Sequence, residues 1–254
     1  MDSAFGTASR DDLDETLQRR RNLAKNENLQ LWYESLYSAL QPSFRTPVLE
    51  VGSGTSPLKR FDPRVITSDV LAADYLDLVF DAHSIDQVRE IPDASLGTIT
   101  MTNVLHHLAD PLRFLSNAAV KLRPNGKLII VEPYISPVSF PVLRYIHPEP
   151  TILGIQCPEL DTSQGPLYSA NQAMPYLLFF KRSDWLSQLD HLYKTGEIEI
   201  NFHSSLSYFL TGGITRRSPI PQFTYRFLLR LDLWLTRKFP RSTAAFFIAT
   251  MERR

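Results

Sequence analysis

Residues Pro47-Val48-Leu49-Glu50-Val51-Gly52-Ser53-Gly54-Thr55 constrain the fold more than any other stretch. A short apolar run ends in a carboxylate and passes into two glycines one residue apart. An apolar run of that length reads as a buried strand. Glycines directly after it let the backbone turn tightly and approach a ligand. A strand leading through a Gly-rich turn into a helix opens nucleotide-binding α/β folds. The arrangement predicts a parallel sheet with a ligand at its carboxyl edge.

Four further runs repeat the pattern of an apolar strand ending in a polar group. Val65-Ile66-Thr67-Ser68 ends in Asp69, nineteen residues after Glu50. An acid on the strand neighbouring the Gly-rich turn is placed to hold a ribose diol. Leu78-Val79-Phe80 ends in Asp81-Ala82, and Gly97 to Thr102 ends in Asn103-Val104-Leu105-His106-His107-Leu108. Lys127-Leu128-Ile129-Ile130-Val131 follows the turn Arg123-Pro124-Asn125-Gly126 and ends in Glu132-Pro133. Taken singly, each acid also reads as a strand-end residue and Asn103 as a helix cap.

These five blocks, in this order and spacing, resemble the motifs of class I S-adenosylmethionine (SAM)-dependent methyltransferases, in particular the type 11 small-molecule group. The resemblance covers residues 47–133, about a third of the chain. It implies an α/β fold, a Rossmann-like seven-stranded sandwich with N-terminal helices and an insertion after strand five. It also implies a cofactor site, with Glu50, Gly52, Ser53 and Gly54 on the methionine side, Asp69 at the ribose, Asp81 and Ala82 at the adenine, and Asn103 nearby. Ser56 stands where the family's turn usually has a third glycine, and it serves if its φ stays negative. An NAD(P) fingerprint would need glycine where Pro57 stands. A SAM-binding scaffold protein without turnover would carry the same motifs.

The whole chain, 1–254, reads as one methyltransferase domain. Residues 13–45 form a helical cap: Leu29, Trp32, Tyr33, Leu36, Tyr37 and Leu40 recur at three- and four-residue spacing. Tyr33 and Tyr37 are candidates to face SAM or to pack in the core. Residues 46–133 are the SAM-binding core. Leu112, Leu115, Ala118, Ala119 and Leu122 there mark a helix. Residues 134–195 are an acceptor-side insertion dense in proline and aromatic side chains, where Tyr134, His147, Tyr168 and Phe179, with Glu132 before it, are candidate substrate contacts. Residues 196–254 supply strand six at Ile198 to Phe202, a last strand at Ala244 to Met251, and a helix between them.

Methyl transfer to a hydroxyl gains from a base with a pKa near neutrality. His106 and His107 follow strand four and are the candidate catalytic residues, expected to act on an oxygen acceptor. The pair alone does not supply three converging ligands, so no metal is expected. Lys plus Arg equals Asp plus Glu at 27 each, so no global field favours nucleic acid. The single cysteine, Cys157, fits a reducing compartment, and Met1 to Arg21 lacks an apolar signal core, so a cytoplasmic enzyme of a small or amphiphilic acceptor is expected. The sequence assigns no oligomeric state.

Residues 216–241 carry seven basic side chains against the single acid Asp232. Phe223, Phe227, Leu228, Leu231, Trp234 and Leu235 share one broad helical face, with Arg226, Arg230 and Arg237 to its side. Two readings stand: an interfacial helix at a membrane surface, or a helix packing that face on the sheet with a solvated basic edge.

Overall fold

A computed structural model of the chain describes residues 10–161, 165, 169–216 and 218–254. Seven strands form one sheet: β1 (Val48–Val51), β2 (Ile66–Asp69), β3 (Leu78–Val79), β4 (Leu96–Thr102), β5 (Leu122–Pro133), β6 (Glu199–His203) and β7 (Phe246–Glu252). Their order is β3-β2-β1-β4-β5-β7-β6. All neighbouring pairs are parallel except those of β7. The order reverses between β1 and β4, and the crevice outside that switch point is where open α/β sheets take ligands.

Side chains alternate across a strand, and the two faces of the sheet carry separate cores. On one face Leu49, Val51, Ile99, Met101, Leu128 and Ile130 pack with Phe114, Leu115 and Ala118 of the helix Pro111–Lys121. Asp110 caps that helix by accepting from the Arg113 N–H, and Pro111 suits its first turn. On the other face Val48, Ile129, Val131 and Ile248 pack with Leu29, Trp32, Leu36 and Leu40.

The N-terminal cap is two helices, α1 (Arg10–Lys25) and α2 (Glu27–Leu40), where the periodicity predicted one. Asn26 makes the break. Its Oδ1 accepts from the Leu29 N–H at 3.1 Å, capping α2. Its Nδ2 donates to the carbonyls of Thr211 and Gly213 at 2.9 and 3.2 Å, which ties the cap to a loop after β6.

The insertion after β5 divides in two. Residues 142–149 stay near the carboxyl edge, whereas Met174, Leu177, Leu178, Trp185 and Tyr193 sink into the core. Tyr134 packs against Phe180 and Phe202, with ring centroids 5.0 and 4.8 Å apart. No helix among the described residues is long and apolar enough to cross a membrane.

Candidate functional site

Gly52 turns the chain out of β1 at φ +76°, a conformation that favours glycine. A Cβ there would lie 2.3 Å from Val104 Cγ2, and one on Gly54 would lie 3.0 Å from Asp69 Oδ2. The Gly54 N–H donates to Asp69 Oδ2 at 2.8 Å, and the Leu71 N–H donates to Oδ1 at 3.0 Å. Burial raises the Asp69 pKa above the usual carboxylate range. Ser56 is not among the residues with positive φ, so the turn tolerates it in place of glycine.

Glu50 lies on the opposite parity of β1 from Leu49 and Val51, and so faces α2. It is buried and accepts from Ser53 Oγ at 2.8 Å and Ser56 Oγ at 2.5 Å. Tyr37 of α2 meets the same Ser56 hydroxyl at 2.9 Å. Burial pushes the Glu50 carboxyl up to about 7. Glu50 and Ser53 therefore brace the turn from behind and do not line the cavity, contrary to the sequence expectation.

Asp81 Oδ1 accepts from the backbone N–H of His83 at 2.9 Å and from its Nδ1 at 2.7 Å. His83 Nε2 accepts from the Asp110 N–H at 3.2 Å, which fixes the proton on Nδ1. Burial alone would raise Asp81, but the His83 hydrogen bonds bring it below the usual range.

Glu132 is fully buried, and its Oε1 accepts from the N–H groups of Val104 and Leu105 at 2.8 and 2.6 Å. Its Oε2 holds His106 Nδ1 at 2.5 Å. Behind the turn that carries the histidines, Glu132 is a positioning residue and not the substrate contact expected. On its far side His106 Nε2 lies 3.3 Å from Glu149 Oε2. Burial would lower the His106 pKa, but the two carboxylates push it up to about 10. His106 is thus a buried imidazolium and not a free base. Burial and the neighbouring His106 charge push His107 down to about 4, so it is neutral. His107 Nδ1 donates to the Ser169 carbonyl at 3.0 Å, which leaves Nε2 as the bare nitrogen.

One cavity of about 1100 Å³ joins these parts. Gly52, Gly54, Ser56, Asp69, Asp81 and Ala82 line one region; Asn103, His106, His107, His147 and Glu149 line another. Its apolar wall includes Val142, Leu143, Ile146 and Phe209. Tyr33 reaches the cavity, whereas Tyr37 is spent on Ser56. Two expected contacts do not reach it: Tyr134 is held in the aromatic cluster, and Phe179 packs on Phe247 with centroids 5.5 Å apart. Tyr168 lies outside the described residues. Arg19, Glu149 and Gln172 also line the cavity and were not expected. Glu149 sits between two prolines, an extended-chain signal that marks its loop but not its target.

The family model for a methyltransferase domain matches residues 11–171, well over half of the chain. The chain belongs to the methyltransferase-domain family. The resemblance carried by the five sequence blocks is borne out, and so is the fold. A SAM-dependent methyltransferase from Archaeoglobus fulgidus superposes with a TM-score of 0.50 at 16% identity, over 87% of this methyltransferase and 94% of that chain. One from Thermotoga maritima gives 0.51 at 14% identity, over 94% and 99%. No curated protein matches the sequence.

The sequence resemblance implies SAM as the cofactor, and the cavity's unpaired groups fit that molecule. Asn103, held at φ +57°, leaves Oδ1 buried without a donor, and Arg19 leaves Nε buried without an acceptor. An amino acid's ammonium and carboxylate are the complementary pair. Asp69 would hold the ribose diol, and Asp81 with Ala82 the adenine. Glycines at 52 and 54 keep the floor of that region open.

Proposed function

We propose that this methyltransferase moves the methyl group of SAM to an oxygen of a small or amphiphilic acceptor. The observation that carries the reading is the single cavity running from the Gly52–Ser56 turn to His107 and Glu149. Ligand pockets usually hold about 300–1,000 Å³, so this volume suits a cofactor together with an acceptor. When bound, SAM supplies an electrophilic sulfonium methyl. The protein's part is alignment and exclusion of water.

His107 Nε2 and Glu149 present acceptor atoms toward the cavity, and they suit a hydroxyl that must donate a hydrogen bond and turn its lone pair to the methyl carbon. Of the two candidate bases, His107 is the neutral one. His106, fixed between Glu132 and Glu149, holds Glu149 ionised: burial would raise that carboxyl, but the His106 hydrogen bond and charge hold it well below the usual range. Val142, Leu143 and Ile146 favour an acceptor with an apolar body.

Titration with SAM and its demethylated product, followed by methyl transfer from labelled SAM to matched alcohols, phenols and amines, tests the reading. Labelled ether products support it. Label appearing on amines alone would overturn the oxygen assignment.

A further inference from the structure

His106 and His107 alone gave two ligands in sequence, but the fold brings a third. Glu149 crosses from the insertion so that its carboxylate and the two Nε2 atoms all lie within 4.8 Å of one another. Each ring is held from behind through Nδ1, His106 by the Glu132 carboxylate and His107 by the Ser169 carbonyl. That is the outer support that metal-binding imidazoles carry, because it fixes the tautomer and aims Nε2 forward. A carbonyl only accepts, so His107 keeps its proton on Nδ1. Its bare Nε2 then faces Glu149 Oε1 at 3.7 Å, two acceptors with no proton between them. Gln172, which donates to Glu149, leaves its Oε1 buried without a donor beside the same cluster.

The spacing suits a cation. His106 Nε2 lies 3.3 Å and His107 Nε2 3.7 Å from the nearest Glu149 oxygens. Two ligands on a tetrahedral ion with bonds of about 2.0–2.1 Å stand roughly 3.3 Å apart. Two imidazoles and one carboxylate select a first-row divalent ion over calcium or magnesium. We infer that His106 Nε2, His107 Nε2 and Glu149 bind one such cation, which displaces to solvent the proton that His106 Nε2 otherwise holds toward Glu149, with the open position facing the cavity and taking an acceptor oxygen. The use of that position rests on the function proposed above; the cation site itself does not. With the cation in place, the acceptor hydroxyl would be held by the ion instead of by hydrogen bonds to His107 and Glu149, and its proton would pass to water. Its oxygen then bonds the methyl carbon as the carbon–sulfur bond breaks and the pair returns to sulfur.

The test is titration of tag-free, metal-stripped protein with Co²⁺, read by the visible absorption of four-coordinate cobalt, with displacement by Zn²⁺. One Co²⁺ per chain is expected. Glu149→Gln and His107→Ala should weaken binding at least about 100-fold, and Glu132→Gln by about 10- to 100-fold. Thermal unfolding, measured separately, checks that each variant keeps its fold. Absence of Co²⁺ binding in the wild type, or equal binding in Glu149→Gln, overturns the site. The readout uses neither SAM nor acceptor, so its failure leaves the methyl-transfer reading standing, and failure of that reading leaves the cation site standing.

A separate observation concerns the helix Gln222–Lys238. It buries Tyr225, Leu229 and Thr236 against the protein. The face turned to solvent carries Phe223, Phe227, Leu231 and Trp234, exposed by 80, 66, 41 and 53%. Leu228 and Leu235 of the expected face are half-buried, but these four side chains do not pack on the sheet. Arg226, Arg230, Arg237 and Lys238 are exposed beside them. The strip's one acid, Asp232, is used up on the Ser205 and Ser207 N–H groups and the Ser207 hydroxyl. Large aromatics rimmed by an excess of cations suit an anionic lipid surface. A second copy would set like charges against each other. The geometry points to this face resting on anionic membrane.

Co-sedimentation with vesicles of phosphatidylglycerol in phosphatidylcholine, at low and physiological salt, tests it. Pelleting should be strongest at low salt and fall at least tenfold in Phe223→Ser/Phe227→Ser and on pure phosphatidylcholine. No pelleting at low salt, or equal pelleting of the double variant, overturns it. So does a concentration-dependent dimer that the same variant abolishes, which would make the occupant a second copy.

Discussion

The backbone N–H of Gly54 donates to Asp69 Oδ2 across 2.8 Å, so the turn after β1 and the acid ending β2 are one unit. The acid proposed for the ribose is thereby aimed by the loop beside it. Parallel pairing of Val51 with Ser68 brings the two ends side by side.

Asp69→Ala should weaken SAM binding by about 1.5–3 kcal/mol, roughly 10- to 150-fold in Kd. Isothermal titration checks it. Unchanged affinity would remove Asp69 from the ribose site.

Glu50 carries a pH dependence of stability. Its carboxyl is raised from 4.5 to about 7 in the fold, so the folded state favours the protonated form. The benefit is full below the ordinary value and is lost as pH rises through about 7. The difference is on the order of 3 kcal/mol. Glu50→Gln should flatten this decline, measured by urea unfolding between about pH 5 and pH 8. An unchanged slope would refute the assignment.

Glu132→Ala should destabilise the protein by about 3–5 kcal/mol, because it strips His106 of a buried partner and frees two buried N–H groups. Glu132→Gln keeps an acceptor for those N–H groups and should cost clearly less. Thermal unfolding of the pair distinguishes positioning from substrate contact, since a mere contact residue would move neither melting point.

Ile146 and Phe179 should separate acceptor binding from packing. Ile146 is 75% exposed and lines the cavity, so Ile146→Ala should raise acceptor KM with a stability change within about 0.5 kcal/mol. Phe179→Ala should instead cost about 2–4 kcal/mol of stability through its lost contact with Phe247. Melting curves and acceptor kinetics on both variants check this.

Much of the cavity lining beside the glycine turn was legible because its signals are local. Gly52, Gly54, Asp69, Asp81, Ala82 and Asn103 each sit at the end of a short apolar run, and a parallel sheet delivers such ends to one edge. Glu50 and Ser53 carried the same signal yet brace the turn from behind. Strand parity decides which way a side chain leaves, and Glu50 goes with Val48 toward α2. Tyr134 and Phe179 misled because aromatic density marks a core as readily as a pocket.

The sequence by itself determined the strands, their polar carboxyl ends, the amphipathic α2 and the family, since each depends on residues within a few positions of one another. Only the tertiary structure decided how the histidine end of the cavity is built. It set Glu149 against His106 and His107, some forty residues away in the chain, put Glu132 behind them, and turned the aromatic face of the helix Gln222–Lys238 outward. Hydrophobic periodicity states that a face is apolar but not what covers it. Contacts between distant segments depend on how whole elements pack, which no local pattern records.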